Sequence, residues 1–157
     1  MEVKEFQEFL SVYKVNQSVS ILGKRASQKE QVRKRLMEEA LLLFSKRGLE
    51  KTTVADIVKK SEIARGTFYN YFTDTQSLFD CLIDELNQKV KSAIQQTRRE
   101  SKNVYDYLYG TFKSYFDLIG TKEMIQFHIL NQAQIRQSSY QSDIIKTIVK
   151  NLNRDLK

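Results

Sequence analysis

Not one proline interrupts this chain, and only five glycines do. Proline is the strongest helix breaker, about 3 kcal/mol worse than alanine in a helix interior, and glycine is next. A chain of 157 residues with so little punctuation and little β-branched alternation is predicted to be all-α. Its length allows one domain with a real core, or a small domain joined to a second helical layer. A hydrophobic content of 41% with 29% charge is ordinary for a globular protein. No apolar run approaches the ~20 residues of a membrane span. Glu2, Glu5 and Glu8 give the N-terminus the wrong charge for a secretory leader. The expectation is a cytoplasmic protein with no membrane partner.

The pattern along the chain sharpens this. Phe6, Leu10 and Tyr13 fit a short amphipathic helix, and residues 16–28 read as a polar linker ending in Lys24-Arg25. That basic pair is either a minor-groove arm or a solvated linker. Residues 1–28 therefore form an N-terminal extension. From Lys29, Val32, Leu36, Ala40, Leu43 and Phe44 share one helical face. Lys46, Arg47 and Gly48 mark its exit, with cations on the last turn and glycine in the left-handed position. Thr53-Val-Ala-Asp56 resembles a capping box and opens a short second helix. A three-residue turn leads to a third helix reaching about Phe72, and Thr73 or Asp74 caps a fourth. Two short helices joined by a tight turn, set on a longer platform helix, make a helix-turn-helix arrangement over residues 29–75. Residues 76–157 form a second helical region. It comprises the rest of the fourth helix, a polar stretch from Gln95 to Asn103, helices over 104–119 and about 121–137, and a last helix from Ser142.

Enzyme chemistry has little raw material here. There is one cysteine, Cys81, and one histidine, His128, so no internal disulfide framework and no CxxC metal site exist, and zinc sites and histidine-dependent triads lose most of their raw material. No GxSxG, HExxH, P-loop or dinucleotide fingerprint occurs. Carboxylate pairs such as Glu38/Glu39 and Asp84/Glu85 lie on helices without apolar isolation. The sequence predicts no catalysis, no metal and no cofactor. Cys81 sits beside the Leu78/Leu82 face with no basic cluster to lower its pKa, and reads as a buried structural thiol.

Charge points to an anionic partner. The net charge is +7, and from Lys24 to Tyr69 there are 12 Lys/Arg against 6 Asp/Glu. Inside that basic segment lies SEIARGTFYNYF, residues 61–72. Phe68 and Phe72 are one turn apart and anchor the third helix, with Tyr71 beside them. Arg65, Gly66, Thr67, Tyr69 and Asn70 fall toward the N-terminal end and the outer side. Arg65 can reach guanine O6 and N7 in a bidentate contact, and Gly66 clears space for a groove wall or a thymine methyl. Thr67 and Tyr69 carry hydroxyls suited to phosphate oxygens, contacts that set register without reading sequence. Each residue alone also has a plain structural reading: packing for Tyr69, a solvated charge for Arg65, accident for Gly66. Together, behind a capped short helix, they favour DNA.

These residues also carry a resemblance. ALLLF…RG at 40–48, TTVADIV at 52–58, RGTFYNYF at 65–72 and the cap leading into SLF resemble the N-terminal domain of the TetR family of bacterial transcriptional regulators. The resemblance covers residues 30–85, about a third of the chain. It implies that Thr52 and Thr53 start the second helix beside a phosphate. It also implies that Arg65, Gly66 and Thr67 face the major groove, while Tyr69, Asn70 and Tyr71 line the DNA backbone. Glu62 stands where the family usually has glycine, Ala64 where serine is frequent, and Thr75 where a lysine commonly meets a phosphate.

The resemblance further implies a homodimeric, ligand-responsive regulator, expected to repress from a palindromic operator in double-stranded DNA. Family members continue through two further long helices that pair as the dimer interface, and this chain stops before both are complete. The expectation is a fragment or a reduced dimer surface. The aromatic-rich helices from 104 to 135 read either as plain core or as the lining of a small-molecule effector cavity, with Leu108, Phe112, Tyr115, Phe116, Phe127 and His128 as its candidates. A second class of function is an adaptor or structural DNA-associated protein whose C-terminal half docks on another protein.

Overall fold

The computed structural model describes residues 21–141 together with 146, 149, 150 and 153, with side chains over 27–138 and at those last four positions. The expected helix over 2–13, the first residues of the linker and the start of the last helix at Ser142 lie outside the described residues. Among those described there are seven helices and no strand, the all-α class predicted. They are α1 (Ile21–Arg47), α2 (Val54–Ser61), α3 (Arg65–Tyr69), α4 (Thr75–Glu100), α5 (Val104–Ile119), α6 (Lys122–Leu130) and α7 (Gln132–Gln141). The chain divides into two compact units, the first ending at Phe79 and the second starting at Asp80.

In the first unit α1 packs on α2, and α2 on α3. Leu36, Ala40 and Phe44 of α1 are fully buried, as are Ile57 of α2 and Phe68 of α3. Phe44 meets Phe79 edge to face, with ring centroids 5.4 Å apart. This core is what makes helices of eight and five residues stable, since neither length would persist alone in water. Gly48 ends α1 at φ 80°, and its N–H donates to the Phe44 carbonyl. The α2 capping box forms as its sequence predicts. The Asp56 N–H donates to Thr53 Oγ1 at 3.3 Å, and the Thr53 N–H donates to Asp56 Oδ2 at 2.9 Å.

The second unit is organised by the approach of α4 to α5. Val90 and Ile94 of α4 pack on the fully buried Tyr107 of α5, with Leu118 against them. The Arg98 guanidinium lies 5.9 Å from the Tyr107 ring centroid. Asn103 caps α5 through Oδ1, which accepts from the Asp106 N–H at 2.8 Å, and Thr121 caps α6.

Four boundaries differ from the sequence reading. The platform helix begins at Ile21 rather than at Lys29, because nothing between them breaks a helix apart from Gly23, which helices tolerate. α4 runs through the expected polar stretch to Glu100, where Gln96 links to both Arg99 and Glu100 along one face. α3 ends at Tyr69, three residues early, and the chain to Phe72 continues in tight turns. The helix expected over 121–137 is broken at Asn131, which is fully buried and whose side-chain amide donates to the Phe127 carbonyl at 2.7 Å. Asparagine competes with the backbone in this way, and a polarity pattern does not reveal it.

Candidate nucleic-acid interface

The turn between α2 and α3 is held in a conformation that glycine would adopt at no steric cost. Glu62 has φ 54° and ψ 33°, and is the only non-glycine residue with positive φ among those described. The left-handed region costs a side-chain-bearing residue about 1–2 kcal/mol. Two features hold it there. The Glu62 N–H and the Ile63 N–H both donate to the Val58 carbonyl. The Glu62 carboxylate pairs with Arg35 of the platform helix, Nη2 to Oε2 at 2.8 Å. That tie joins residues 27 positions apart, and no local sequence signal announces it.

Beyond the turn, Phe68 and Phe72 are both buried, with ring centroids 5.8 Å apart, the inner face of α3 read from their spacing. Tyr71 is half-buried beside Phe72. Arg65, Gly66, Tyr69 and Asn70 are exposed, and Thr67 is half-buried. Arg65 Nη2 donates to Tyr69 Oη at 3.3 Å, with the guanidinium 5.9 Å from the tyrosine ring centroid. The Tyr69 ring in turn stands edge-on to Phe68, at an interplanar angle of 89°. Buried phenylalanine, exposed tyrosine and exposed arginine therefore form one supported column. A Cβ added at Gly66 would meet nothing within 4 Å, so nothing inside the protein requires glycine there.

Two expected contacts fall differently. Thr52 is buried, and its hydroxyl donates to the Gly48 carbonyl at 2.8 Å, closing the α1–α2 loop instead of facing outward. Thr53 is exposed, but its hydroxyl donates to Asp56 Oδ2 at 2.6 Å. The Thr53 hydroxyl, with Arg47 2.7 Å away, holds the Asp56 carboxyl far below the usual carboxylate range. The start of α2 is thus a closed polar knot. Around it Lys51, Ala55, Lys59 and Lys60 are exposed, and Lys60 lies 3.5 Å from Glu39.

The residues expected to line an effector cavity differ widely in exposure. Phe112, Tyr115 and Phe116 are exposed, Leu108 and His128 are half-buried, and Phe127 is fully enclosed. His128 Nδ1 lies 2.8 Å from the Met124 carbonyl oxygen, which accepts from it, so that ring nitrogen is engaged by its own helix. Spacing put these residues on nearby turns but did not separate an outward face from an inward one. Cys81 is half-buried rather than buried. Among the described residues no group of three or more His, Cys, Asp and Glu could hold a metal, and no helix is long and apolar enough to cross a membrane.

A platform helix with one buried face, a capped short helix, a tight turn and a second short helix with an exposed basic-aromatic edge define a helix-turn-helix protein. Residues 36–82 match the family description of bacterial regulatory proteins of the tetR family, so this segment is a TetR-type N-terminal domain. It is 36% identical over 52 residues to YvdT of Bacillus subtilis, an uncharacterized HTH-type transcriptional regulator, a match covering 33% of this chain and 27% of YvdT. It is 24% identical over 124 residues to IcaR of Staphylococcus aureus, the HTH-type negative transcriptional regulator of the biofilm operon icaADBC, covering 71% of this chain and 67% of IcaR. The structure of the fatty acid degradation regulator FadR from Bacillus halodurans shares the fold, with a TM-score of 0.65 at 18% identity over 79% of this chain and 65% of FadR.

Proposed function

We propose that this chain is a sequence-specific DNA-binding transcriptional regulator, with residues 29–75 as the DNA-binding part and 76–157 as the regulatory part. The observation that carries the reading is the edge of α3. Gly66 opens onto space that no protein atom fills, between the exposed Arg65 and the exposed Tyr69. A glycine that packing does not need, flanked by a guanidinium and a phenol, suits close approach to a DNA groove. In this reading Arg65, Gly66 and Thr67 face base edges. Tyr69, Asn70 and Tyr71 meet the sugar-phosphate backbone, and Thr53 contributes through its position at the start of α2. The chain acts as a homodimer on a palindromic operator, one α3 in each half-site. A small-molecule effector held by the helices after residue 80 lowers affinity by shifting populations, making the protein a ligand-responsive repressor. The repressor sense is supported by IcaR's description as a negative regulator.

The test is selection of bound DNA from a random pool, using the whole chain at fixed salt. A palindromic consensus supports the reading, and enrichment of no sequence overturns it. A second reading, an adaptor whose C-terminal half docks on another protein, is favoured by the exposed aromatics of α5. It predicts DNA binding that does not respond to any small molecule.

A further inference from the structure

The carboxylate of Glu62 has two arginines within reach. Arg35 of the platform helix holds it, Nη2 to Oε2 at 2.8 Å. Arg65, the first residue of α3, lies three positions further on across the tight turn and donates instead to Tyr69. Three residues span at most about 11 Å, a gap that extended glutamate and arginine side chains close between them. The Glu62 backbone is fixed, because the Glu62 and Ile63 N–H groups both donate to the Val58 carbonyl. Which arginine the carboxylate meets is therefore decided by side-chain rotamers. The Glu62 side chain is 78% exposed and that of Arg35 51%, so packing does not lock the choice.

We infer that Arg35 is a positioning residue for DNA recognition: by keeping the Glu62 carboxylate on the platform, it leaves Arg65 free to meet a base. This rests on the base-reading role of Arg65 in the proposed function and names what guards it. The surrounding charges favour this division. On α1, Glu38 is paired with Lys34 at 3.6 Å, and Glu39, one turn beyond Arg35, is paired with Lys60 at 3.5 Å. The carboxylates nearest to Arg35 in its own helix are thus engaged, and Glu62 is the one it takes. Arg65 is held by a phenol, which offers none of the charge attraction or bidentate geometry of a carboxylate. A Glu62 released from Arg35 would therefore displace Tyr69 as the partner of Arg65.

Loss of Arg35 then has two consequences with one cause. The freed carboxylate captures Arg65 and turns its guanidinium away from guanine, which lowers discrimination at one base pair. It also meets DNA phosphates without a compensating cation, which lowers affinity for every sequence. Exposed ion pairs are weak, so the competition for Arg65 should cost roughly 2- to 5-fold in discrimination. Neutralising Glu62 as well removes the competitor and should abolish that cost.

The test is competition titration of the whole chain at fixed salt. A labelled duplex carries the consensus from the random-pool selection, and competitors are substituted at each base pair in turn. Arg65→Ala marks the base pair that Arg65 reads. There Arg35→Ala and Arg35→Gln should each lose roughly 2- to 5-fold in discrimination. Arg35→Lys, Glu62→Gln and the double variant Arg35→Ala with Glu62→Gln should keep the wild-type ratio. The single and double variants lack the same ion pair, so a purely structural role predicts the same defect in both. Wild-type discrimination in Arg35→Ala and Arg35→Gln overturns the inference, the freed carboxylate then going to solvent or to the exposed Lys59. A double variant as impaired as Arg35→Ala also overturns it. In both cases the base-reading role of Arg65 stands. If Arg65→Ala flattens no base pair, that role is wrong and the inference falls with it.

Discussion

Arg65 donates to the phenol of Tyr69 one turn further along α3, at 3.3 Å. In the proposed reading this couples the residue that reads bases to the one that grips a phosphate before any DNA arrives. Tyr69→Phe should accordingly do more than remove a phosphate contact. Affinity should fall across all sequences, and the guanidinium, losing its acceptor, should discriminate less sharply at its base pair. Arg65→Ala should relax preference at that position by about 1–3 kcal/mol. Competition titrations against single-base operator variants at fixed salt would measure both effects.

Gly66→Ala separates folding from binding. Since the added methyl meets nothing in the protein, stability should be unchanged or rise by up to about 1 kcal/mol through helix propensity. DNA affinity should fall by about 1–3 kcal/mol, the usual cost of an overfilled contact. A urea melt beside a binding isotherm gives both numbers. Equal binding by the variant would remove the main support for the major-groove placement.

Glu62 combines strain with an exposed ion pair. Glu62→Gly relieves the positive φ but loses the bond to Arg35, so a net stabilisation of up to about 1 kcal/mol is expected. Glu62→Ala keeps the strain and loses the pair, and should destabilise by about 0.2–1 kcal/mol. Opposite signs in chemical denaturation identify the backbone as the source of the strain.

In the second unit a Cβ at Gly110 would lie 2.6 Å from Thr97 Cγ2, closer than two carbons can sit. Gly110→Ala should cost about 1–3 kcal/mol of overpacking, partly offset by its helix propensity. Thr97→Ser removes the methyl and should restore most of the loss. A double-mutant cycle should show coupling of about 1 kcal/mol or more.

Asp56 ties stability to pH. Its carboxyl is held low by the Thr53 hydroxyl first and by Arg47 second, so the folded chain binds fewer protons there than the unfolded chain. Its contribution is present above the ordinary carboxylate pKa of about 4 and is lost as pH falls below that value. Stability should rise with pH through this window, and Asp56→Asn should flatten the rise. Unfolding midpoints measured at several pH values would show it.

The helix-turn-helix unit was legible because its determinants are local. Thr53 and Asp56 cap within four residues, Gly48 ends its own helix, and Phe68 and Phe72 anchor by simple periodicity. Thr52 was misread because a hydroxyl beside a cap can turn outward or close a loop, and only the position of the Gly48 carbonyl decides between them. The two faces of α5 were not told apart in the sequence for a related reason. Aromatic spacing on α5 describes both of its sides, and burial alone tells Tyr107 from Phe112.

By itself, the sequence determined an all-α chain, the capped and basic helix-turn-helix, and the exposed chemistry of Arg65, Gly66 and Tyr69. Each of these follows from interactions spanning one or two turns. Tertiary structure decided the rest: the Arg35 tie that holds Glu62 in a left-handed turn, the Gly110–Thr97 approach, and which face of α5 stays outside. Those depend on residues far apart in the chain meeting in space, and no local periodicity encodes that meeting.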